Sequence, residues 1–334
     1  MARLLVTGYG GFLGQSICRQ LIASGHTVRG LARNPYPALA AIGVKSIVGD
    51  ATRMEDCRLA VEGIDGVIHT AAIAGVWGPR SAFESINVDA TKLLLQAAKE
   101  SGASGFVYCS SPSVTFDGLP QRGINESSPY PSHWLCDYPR TKAEAEKIVL
   151  ESNEAAGFLT CALRPHLIWG EGDPHLIPRL IARCQSGRLR CVGDGRNLID
   201  TVHVDAAAHA HCLAIDALLE RKLDVAGRAF FVTDGEPVGC WEWISQILRG
   251  AGLEPPNKRI SMNAAYRLGY LFELAYGALR LSQEPPITRF VAAQLGVDHY
   301  FSIDSAKEVL GYRPILNRQA TFDAMLPWLR SLPE

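Results

Sequence analysis

The sequence predicts an α/β protein with a doubly wound parallel sheet and a smaller C-terminal substrate-binding lobe. Two observations predict this fold. Short apolar runs of strand length alternate with helical stretches through the first half of the chain, and a glycine-rich turn follows the first run. Such alternation produces parallel strands joined by right-handed helical crossovers.

The predicted strands are continuous apolar runs, which is typical of strands buried on both faces. After about residue 165 the pattern loosens into shorter elements separated by loops rich in Gly, Pro and Asp. We therefore predict a first domain over 1–165 and a lobe over 166–334, with some lobe elements returning to the main sheet. The predicted strands cover 3–7, 27–32, 45–48, 66–70, 105–110 and 159–163, and the clearest helices cover 11–24, 82–101 and 138–156.

Composition excludes several classes of protein. A hydrophobic share of 47% and a charged share of 20% are typical of a soluble globular protein. A net charge of −1 lacks the excess of positive charge that is typical of nucleic-acid-binding proteins. The nine cysteines contain no C-x-x-C pattern, so neither a disulfide framework nor a metal site is predicted. A reducing, cytoplasmic location fits this cysteine usage best.

The segment 260–281 is rich in apolar residues. Arg267, Glu273 and Arg280 interrupt it, so it lacks the uncharged run of about 20 residues that a membrane-spanning helix needs. We predict a pair of helices that cover a pocket. An interfacial membrane helix is the alternative, which leaves membrane association open.

The glycine-rich turn predicts a dinucleotide site. Gly8, Gly11 and Gly14 lie between the first strand and the first helix, and Phe12 and Leu13 open that helix. In a Rossmann domain the first glycine permits the tight turn, the second lets a pyrophosphate approach the backbone, and the third allows close helix–sheet packing.

The end of the second strand indicates which dinucleotide binds. NAD-preferring sites usually place an acidic residue here, whereas this chain has Arg33, which can pair with a 2′-phosphate. We predict NADP(H), with NAD(H) possible and a solvated Arg33 as the alternative. Asp50 and Ala51 follow the third strand, where an adenine edge would lie, although Asp50 could equally cap a helix.

A tyrosine four residues before a lysine predicts proton-transfer chemistry. On a helix, Tyr138 and Lys142 lie on one face, and a nearby cation would lower the pKa of the phenol. Ser111 follows a predicted strand, where its hydroxyl could bind a substrate oxygen; Ser110 and Ser113 are its rivals. Arg140 and Thr141 are expected to have surface roles.

The chain resembles the extended short-chain dehydrogenases/reductases over nearly its whole length. The resemblance implies that Ser111, Tyr138 and Lys142 are catalytic, that Asn87 supports them, and that Lys142 also binds the cofactor ribose. A plain hydrogen-bonding role is the alternative for Asn87. The resemblance further implies cofactor contacts by Ala71, Ala72 and Pro165, and a homodimer. It is carried by residues 7–14, 69–72, 86–91, 110–111, 138–142, 163–165, 169–170 and 202–205.

Within that superfamily the chain is most similar to the 3β-hydroxysteroid dehydrogenase-like branch. It most resembles the bacterial 2-alkyl-3-oxoalkanoate reductases of olefin biosynthesis, through residues 71–78, 111–114, 164–173 and 192–198. This implies an NADP(H)-dependent enzyme that interconverts a ketone and a secondary alcohol on a hydrophobic substrate. The alternatives are a 3β-hydroxysteroid dehydrogenase, a nucleotide-sugar epimerase that would use Arg179, Arg183 and Arg196 on a pyrophosphate, and a redox sensor without turnover. Association with a pathway enzyme is also possible.

Overall fold

A computed structural model describes residues 1–314 and 317–332. It contains a large parallel sheet with helices on both faces, which confirms the predicted fold class. The first three strands begin and end where the sequence predicts. The strands are β1 (Arg3–Thr7), β2 (Thr27–Ala32), β3 (Lys45–Val48), β4 (Gly66–His69), β5 (Gly105–Cys109), β6 (Gln121–Ile124), β7 (Leu159–Pro165), β8 (Ile168–Trp169), β9 (Cys191–Val192), β10 (Leu198–Ile199), β11 (Val202–His203), β12 (Arg228–Val232), β13 (Val238–Gly239), β14 (Arg259–Ile260) and β15 (His299–Phe301).

The α-helices follow the same chain order. They are α1 (Phe12–Ala23), α2 (Pro37–Ala40), α3 (Met54–Val61), α4 (Arg80–Phe83), α5 (Ala90–Glu100), α6 (Asp137–Glu151), α7 (Leu176–Gln185), α8 (Val204–Leu219), α9 (Cys240–Gly250), α10 (Met262–Ala278), α11 (Arg289–Gly296), α12 (Asp304–Val309) and α13 (Arg318–Ser331). A π-helix (Glu84–Asp89) and a 3-10 helix (Pro112–Thr115) complete the helical elements.

The main sheet has seven parallel strands in the order β12-β7-β5-β4-β1-β2-β3. The order reverses between β1 and β4, because the chain builds outward from β1 in one direction and then from β4 in the other. Ligands of open α/β sheets bind at such a switch point, beyond the carboxyl ends of the strands. The residues that follow β1, β4 and β5 are therefore the first place to look for a site.

Alternating residues of β1 enter different cores on the two faces of the sheet, as the two-residue period of a strand requires. Leu4 and Val6 pack with α1 and α8 on one face. Leu5 packs with α3, α5 and α6 on the other face.

The C-terminal part contributes to two regions. Strand β12 lies at the edge of the main sheet beside β7, and α8 packs against α1. Helices α7, α9 and α13 share a separate apolar core built around Trp241, Trp243 and Ile247. The division of the chain at residue 165 stays a prediction.

Two helical predictions need correction. The predicted helix 82–101 consists of three pieces, because the π-helix interrupts it between α4 and α5. The segment 260–281 forms one helix, α10, and not two. Gly269 lies within α10 where the helix meets the backbone of Thr288 and Arg289, and a Cβ there would approach Thr288 C to 2.6 Å. Within the described residues, no helix is long and apolar enough to cross a bilayer.

Candidate active site

The glycine turn between β1 and α1 is shaped by close backbone contacts. Gly8 has a φ of +64°, and a Cβ there would lie 2.9 Å from Ala71 N. A Cβ on Gly14 would lie 2.3 Å from Gly8 O, so any side chain would separate α1 from the turn. Gly11 is exposed and its N–H donates to Gly8 O at 2.8 Å. No side chain of the described residues caps α1 at Gly11, so the positive end of the helix dipole faces the switch point.

An aromatic side chain that the sequence did not single out covers this turn. A Cβ on Gly10 would lie 1.9 Å from the Tyr36 ring, so the ring rests directly on the turn. Tyr36 also packs edge-on against Tyr9, with the ring centroids 5.1 Å apart. The contact between Tyr36 and Gly10 joins the segment before α2 to the turn after β1, and the spacing of residues in the sequence does not predict it.

A cleft of about 250 Å³ lies beside the turn. It brings together the predicted residues Gly8, Arg33, Asp50, Ala51, Ala71 and Ala72, and adds Leu31, Ala32, Asn34, Tyr36, Gly49, Thr52, Ile73, Ile86 and Ala90.

The two charged residues of the cleft have different surroundings. Arg33 is exposed. Asp50 accepts hydrogen bonds from Thr52 N at 2.9 Å and Thr52 Oγ1 at 2.8 Å, and these bonds, with the charges of Arg33 and Arg53, lower the pKa of Asp50. Asp50 therefore caps the turn before α3 and also lines the cleft, while its contact with an adenine stays a prediction.

The other predicted cofactor residues lie outside this cleft. Leu13 is buried in the core beneath α1. The Phe12 side chain lines a different cleft between α1, α8 and α13. Pro165 is buried as the last residue of β7.

Ser111 lies directly beyond β5, at the carboxyl edge of the sheet. It precedes the 3-10 helix, and its Oγ accepts a hydrogen bond from Ser113 N at 3.2 Å and lies 2.9 Å from Ser113 Oγ. Ser110 and Ser113 are buried, whereas Ser111 is half-buried. Of the three serines, Ser111 is therefore the most accessible to a ligand.

Tyr138 and Lys142 lie one turn apart near the start of α6. The lysine is only 3% exposed; its Nζ donates to Cys109 O at the end of β5 and lies 4.1 Å from the centroid of the Tyr108 ring. Burial lowers the pKa of Lys142 to about 8. Tyr138 is half-buried.

The expected effect of Lys142 on the Tyr138 pKa is wrong. Burial raises the pKa of Tyr138 to about 12, and the Ser111 hydroxyl is the group that lowers it. The physical reason is that Lys142 is itself desolvated and directs its ammonium at the Cys109 carbonyl and the Tyr108 ring face. The phenol is therefore protonated at neutral pH, which suits a proton donor.

Asn87 connects the loop after β4 to the helix that carries Tyr138. The π-helix turns Asn87 inward, where it is 1% exposed. Its Oδ1 accepts from Ile73 N at 2.8 Å, and its Nδ2 donates to Ile73 O at 3.2 Å and to Thr141 Oγ1 at 3.0 Å. These bonds make Asn87 a positioning residue. The expected surface role of Thr141 is wrong, because the side chain is fully buried and accepts this bond.

A buried ion pair that sequence analysis missed attaches α6 to the sheet. The Arg164 guanidinium on β7 donates to both oxygens of Glu146, at 3.0 Å from Nε to Oε2, and the two side chains are 3% and 0% exposed. Tyr130 also donates to Glu146 Oε1 at 2.6 Å. The sequence did contain a signal for this pair. Arg164 is a charged residue within an apolar strand, and Glu146 lies on the buried face of α6.

Two cavities border the loop that follows β4. One, of about 480 Å³, lies between α10 and residues 135–137, which directly precede Tyr138. The other, of about 190 Å³, has a mainly apolar lining from α7, α9 and α11, and Val76 lines both. At the edge of the second cavity, Arg183 Nη2 pairs with Glu284 Oε1 at 3.2 Å and Arg179 pairs with the same oxygen. The larger cavity thus borders the start of the Tyr138 helix, and the mainly apolar cavity, which shares Val76 with it, is suited to an apolar substrate.

The residues of the turn and cleft fit a dinucleotide. The backbone of Gly8 and Gly14 leaves no room for a Cβ, while Gly11 faces solvent at the start of α1. The cleft beside them is lined by small residues and by Arg33, which can accommodate an adenosine and its phosphate.

Comparison with known proteins agrees with this geometry. A profile of the 3-beta hydroxysteroid dehydrogenase/isomerase family matches residues 5–263. The chain is 42% identical to a 2-alkyl-3-oxoalkanoate reductase of Shewanella oneidensis, over 95% of this chain and 84% of the relative. It is 43% identical to a protein of the same name from Stenotrophomonas maltophilia, over 93% of this chain and 94% of the relative. The crystal structure of gox2253 superposes with a TM-score of 0.78 at 27% identity, covering 99% of this chain and 98% of that chain.

The match spans most of the chain and includes the turn, Ser111, Tyr138 and Lys142. It confirms the resemblance seen in the sequence and the expectation of an enzyme of this class. The chain therefore belongs to the 3-beta hydroxysteroid dehydrogenase/isomerase family and is an NAD(P)-dependent oxidoreductase of the extended short-chain type.

Proposed function

We propose that this protein is an NADP(H)-dependent reductase that converts the ketone of a hydrophobic 2-alkyl-3-oxoalkanoate to a secondary alcohol. One observation carries the ketone chemistry: Ser111 follows β5 directly at the carboxyl edge of the sheet, and Lys142, one turn after Tyr138 on α6, donates from Nζ to Cys109 O at the end of the same strand. The substrate class is supported by the two bacterial relatives of that name and by the largely apolar cavity between α7, α9 and α11.

Ser111 and Tyr138 both act on the carbonyl oxygen of the substrate. The Ser111 hydroxyl donates a hydrogen bond to that oxygen and stabilises the negative charge that develops on it. Tyr138 then transfers its phenolic proton to the same oxygen and is reprotonated from solvent. The nicotinamide, when bound, supplies the hydride that the carbonyl carbon receives. Oxidation of the alcohol uses the same groups in reverse.

Lys142 and Asn87 act around this centre. The Lys142 ammonium, which donates to Cys109 O at the end of β5, binds the cofactor ribose when the cofactor is present. Asn87 fixes the distance between the loop after β4 and α6, which keeps Tyr138 in position.

Arg33 supports a preference for NADP(H). It is exposed at the edge of the cleft, and no acidic residue follows β2 to bind a ribose 2′-hydroxyl. The carboxylate of Asp50, which also lines the cleft, already accepts two hydrogen bonds from Thr52. A guanidinium at this position can pair with a 2′-phosphate.

The direct experiment measures turnover with a substrate panel. Because β-keto acids decarboxylate readily, the stable 2-alkyl-3-hydroxy acids are oxidised with NADP⁺ in parallel with 3β-hydroxysteroids and UDP-glucose. We expect the long-chain hydroxy acid to have the highest kcat/KM. Faster turnover of short-chain or water-soluble alcohols would contradict the proposal.

The family description favours one rival, oxidation of a 3β-hydroxysteroid. An apolar cavity would also accept a sterol, so the panel has to separate the two. Turnover of the steroid with NAD⁺ and none of the hydroxy acid with NADP⁺ would establish the rival. Activity on UDP-glucose alone would indicate an epimerase-type enzyme.

A further inference from the structure

Helix α7 carries two arginines on the face that lines the mainly apolar cavity. Arg179 and Arg183 are one turn apart, so they lie on the same side of the helix as Leu176 and Leu180. All four side chains line the cavity of about 190 Å³ between α7, α9 and α11. Two cations therefore adjoin a wall that is otherwise mainly apolar.

Both guanidinium groups converge on one carboxylate oxygen. Arg183 Nη2 donates to Glu284 Oε1 at 3.2 Å, and Arg179 Nη2 donates to the same oxygen. The three side chains are 22% to 37% exposed, so much of the cluster is removed from solvent. Within the described residues, these are the only hydrogen bonds that either guanidinium makes.

The cluster carries more positive than negative charge. Two guanidinium groups face one carboxylate, so one positive charge has no counterion within the cluster. Like charges one turn apart on a helix repel each other unless an anion lies between them. An oxygen shared by two guanidinium groups also leaves most of their N–H donors unused. The two arginines are therefore better matched to an anion that offers each of them an oxygen.

An ion pair that only fixes a loop explains the cluster less well. Glu284 lies in the loop between α10 and α11, and its contact with α7 does attach that loop. A partly exposed ion pair contributes little to stability, however. One arginine would make the attachment without a second positive charge one turn away on the cavity-lining face.

We propose that Arg179 and Arg183 bind the carboxylate of an amphiphilic ligand whose alkyl chain occupies the adjoining apolar cavity. Each guanidinium donates to one of the two carboxylate oxygens. The alkyl chain packs against apolar side chains of the cavity such as Leu180 and Trp243. Glu284 holds the place of this carboxylate and leaves it when the ligand binds.

This site deepens the proposed function, and it rests on that function for the identity of its ligand. A 2-alkyl-3-oxoalkanoate and its alcohol product carry both a carboxylate and alkyl chains, whereas an uncharged sterol has no group for the two arginines. A mainly apolar pocket with a few placed polar groups gains its specificity from those groups. The arginines would thus favour an acid over a sterol.

Octanoate and octanol test the site without any activity measurement, because they share an alkyl chain and differ in charge. Isothermal titration in the presence of NADPH measures the Kd of each compound. We expect octanoate to bind at least about tenfold more tightly than octanol, and high salt to weaken only octanoate. Octanoate binding by a chain that turns over no hydroxy acid would support the site and contradict the proposed function.

Variants locate the carboxylate. Arg183→Gln should weaken octanoate binding about tenfold, because one charged donor is lost, and should leave octanol unchanged. Glu284→Gln should tighten octanoate binding about tenfold, because it removes the competing carboxylate and keeps the shape of the side chain. An ion pair that only fixes the loop would not produce these opposite shifts.

Arg188→Gln is the matched control for the loss of one positive charge. Arg188 is exposed in the loop after α7 and lies outside the cavity lining, so this variant should bind octanoate as the wild type does. Binding of NADPH and the thermal melting curve verify that each variant is folded.

Three outcomes would overturn the proposal. These are equal binding of octanoate and octanol, unchanged or weaker octanoate binding after Glu284→Gln, and an equal loss with Arg183→Gln and Arg188→Gln. Binding of inorganic pyrophosphate without binding of octanoate would assign the two arginines to a phosphate ligand instead.

Discussion

The nucleotide end and the chemical end of this site are held in different ways. At the nucleotide end, backbone atoms approach so closely that Gly8 and Gly14 tolerate no Cβ, and the cleft side chains are mostly small or exposed. At the chemical end, buried polar side chains hold α6 in place, through Asn87 to the loop after β4 and through Glu146 to β7.

This difference matches what each end has to do. A dinucleotide is bound by backbone N–H groups and a helix dipole, which need close approach and little side-chain chemistry. Proton transfer needs a phenol at one position, and several buried hydrogen bonds position the helix that carries it. Substitutions should therefore act by steric clash at one end and by loss of polar contacts at the other.

The largest effect is expected at Tyr138. Tyr138→Phe removes the proton donor and keeps the ring, so kcat should fall about 10³-fold or more, equivalent to about 4 kcal/mol. The Kd for NADPH should change little. Steady-state kinetics and fluorescence titration measure the two. Retained activity would show that another group donates the proton.

Breaking the buried ion pair should be the next largest effect. Arg164→Met leaves Glu146 charged and buried, and the free energy of unfolding should fall by about 3 to 4 kcal/mol, measured by urea denaturation. The double variant Arg164→Met, Glu146→Leu should recover most of that loss. An unchanged midpoint in the single variant would mean that the pair does not hold α6.

Steric clash at the nucleotide end should cost less. Gly14→Ala places a Cβ 2.3 Å from Gly8 O, so the turn must move, and the Kd for NADPH should rise about tenfold to a hundredfold. Gly157→Ala is the matched control, because its Cβ would meet nothing within 4 Å. Equal affinity of the two variants would refute the idea that the turn is held by backbone contact.

The pH dependence should separate Lys142 from Tyr138. Raising the pH deprotonates Lys142 near its pKa of about 8, whereas Tyr138, with a pKa of about 12, stays protonated. If the ammonium is needed, kcat/KM for reduction should be flat below pH 8 and fall about tenfold per unit above it. Lys142→Arg should move that break upward, and a break that does not move would assign it to another group.

The smallest effect is expected at Arg33. Arg33→Ser removes the proposed partner of the 2′-phosphate, so the Kd for NADPH should rise about fivefold to tenfold while that for NADH is unchanged. Arg53→Ser, a nearby exposed arginine outside the cleft lining, is the control. Isothermal titration with both cofactors measures the difference, and a parallel change in both would exclude a role in cofactor choice.

Much of the framework was predictable because it is local. Continuous apolar runs placed β1, β2 and β3, and the glycine spacing placed the turn between a strand and a helix. The spacing of Tyr138 and Lys142 placed both on one helix, and Ser111 followed a strand that ends at the same edge. Each of these inferences depends on residues a few positions apart.

The contacts within the site were not predictable, because they join distant parts of the chain. The inward turn of Asn87, the burial of Thr141 and the contact of Tyr36 with Gly10 depend on how separate elements pack. The ammonium of Lys142 points at the Cys109 carbonyl because β5 lies against α6, which no helical spacing reveals.

The sequence by itself determined the parallel α/β fold, the glycine turn between β1 and α1, and the positions of the residues proposed for proton transfer, since backbone preferences and apolar periodicity act over short distances. Only the tertiary structure decided how those residues are charged, which of them are buried, and that α10 is a single helix. Burial depends on all the elements that pack around a residue, and burial sets the direction in which the pKa of Tyr138 and of Lys142 is shifted. Local sequence patterns do not show which elements pack together.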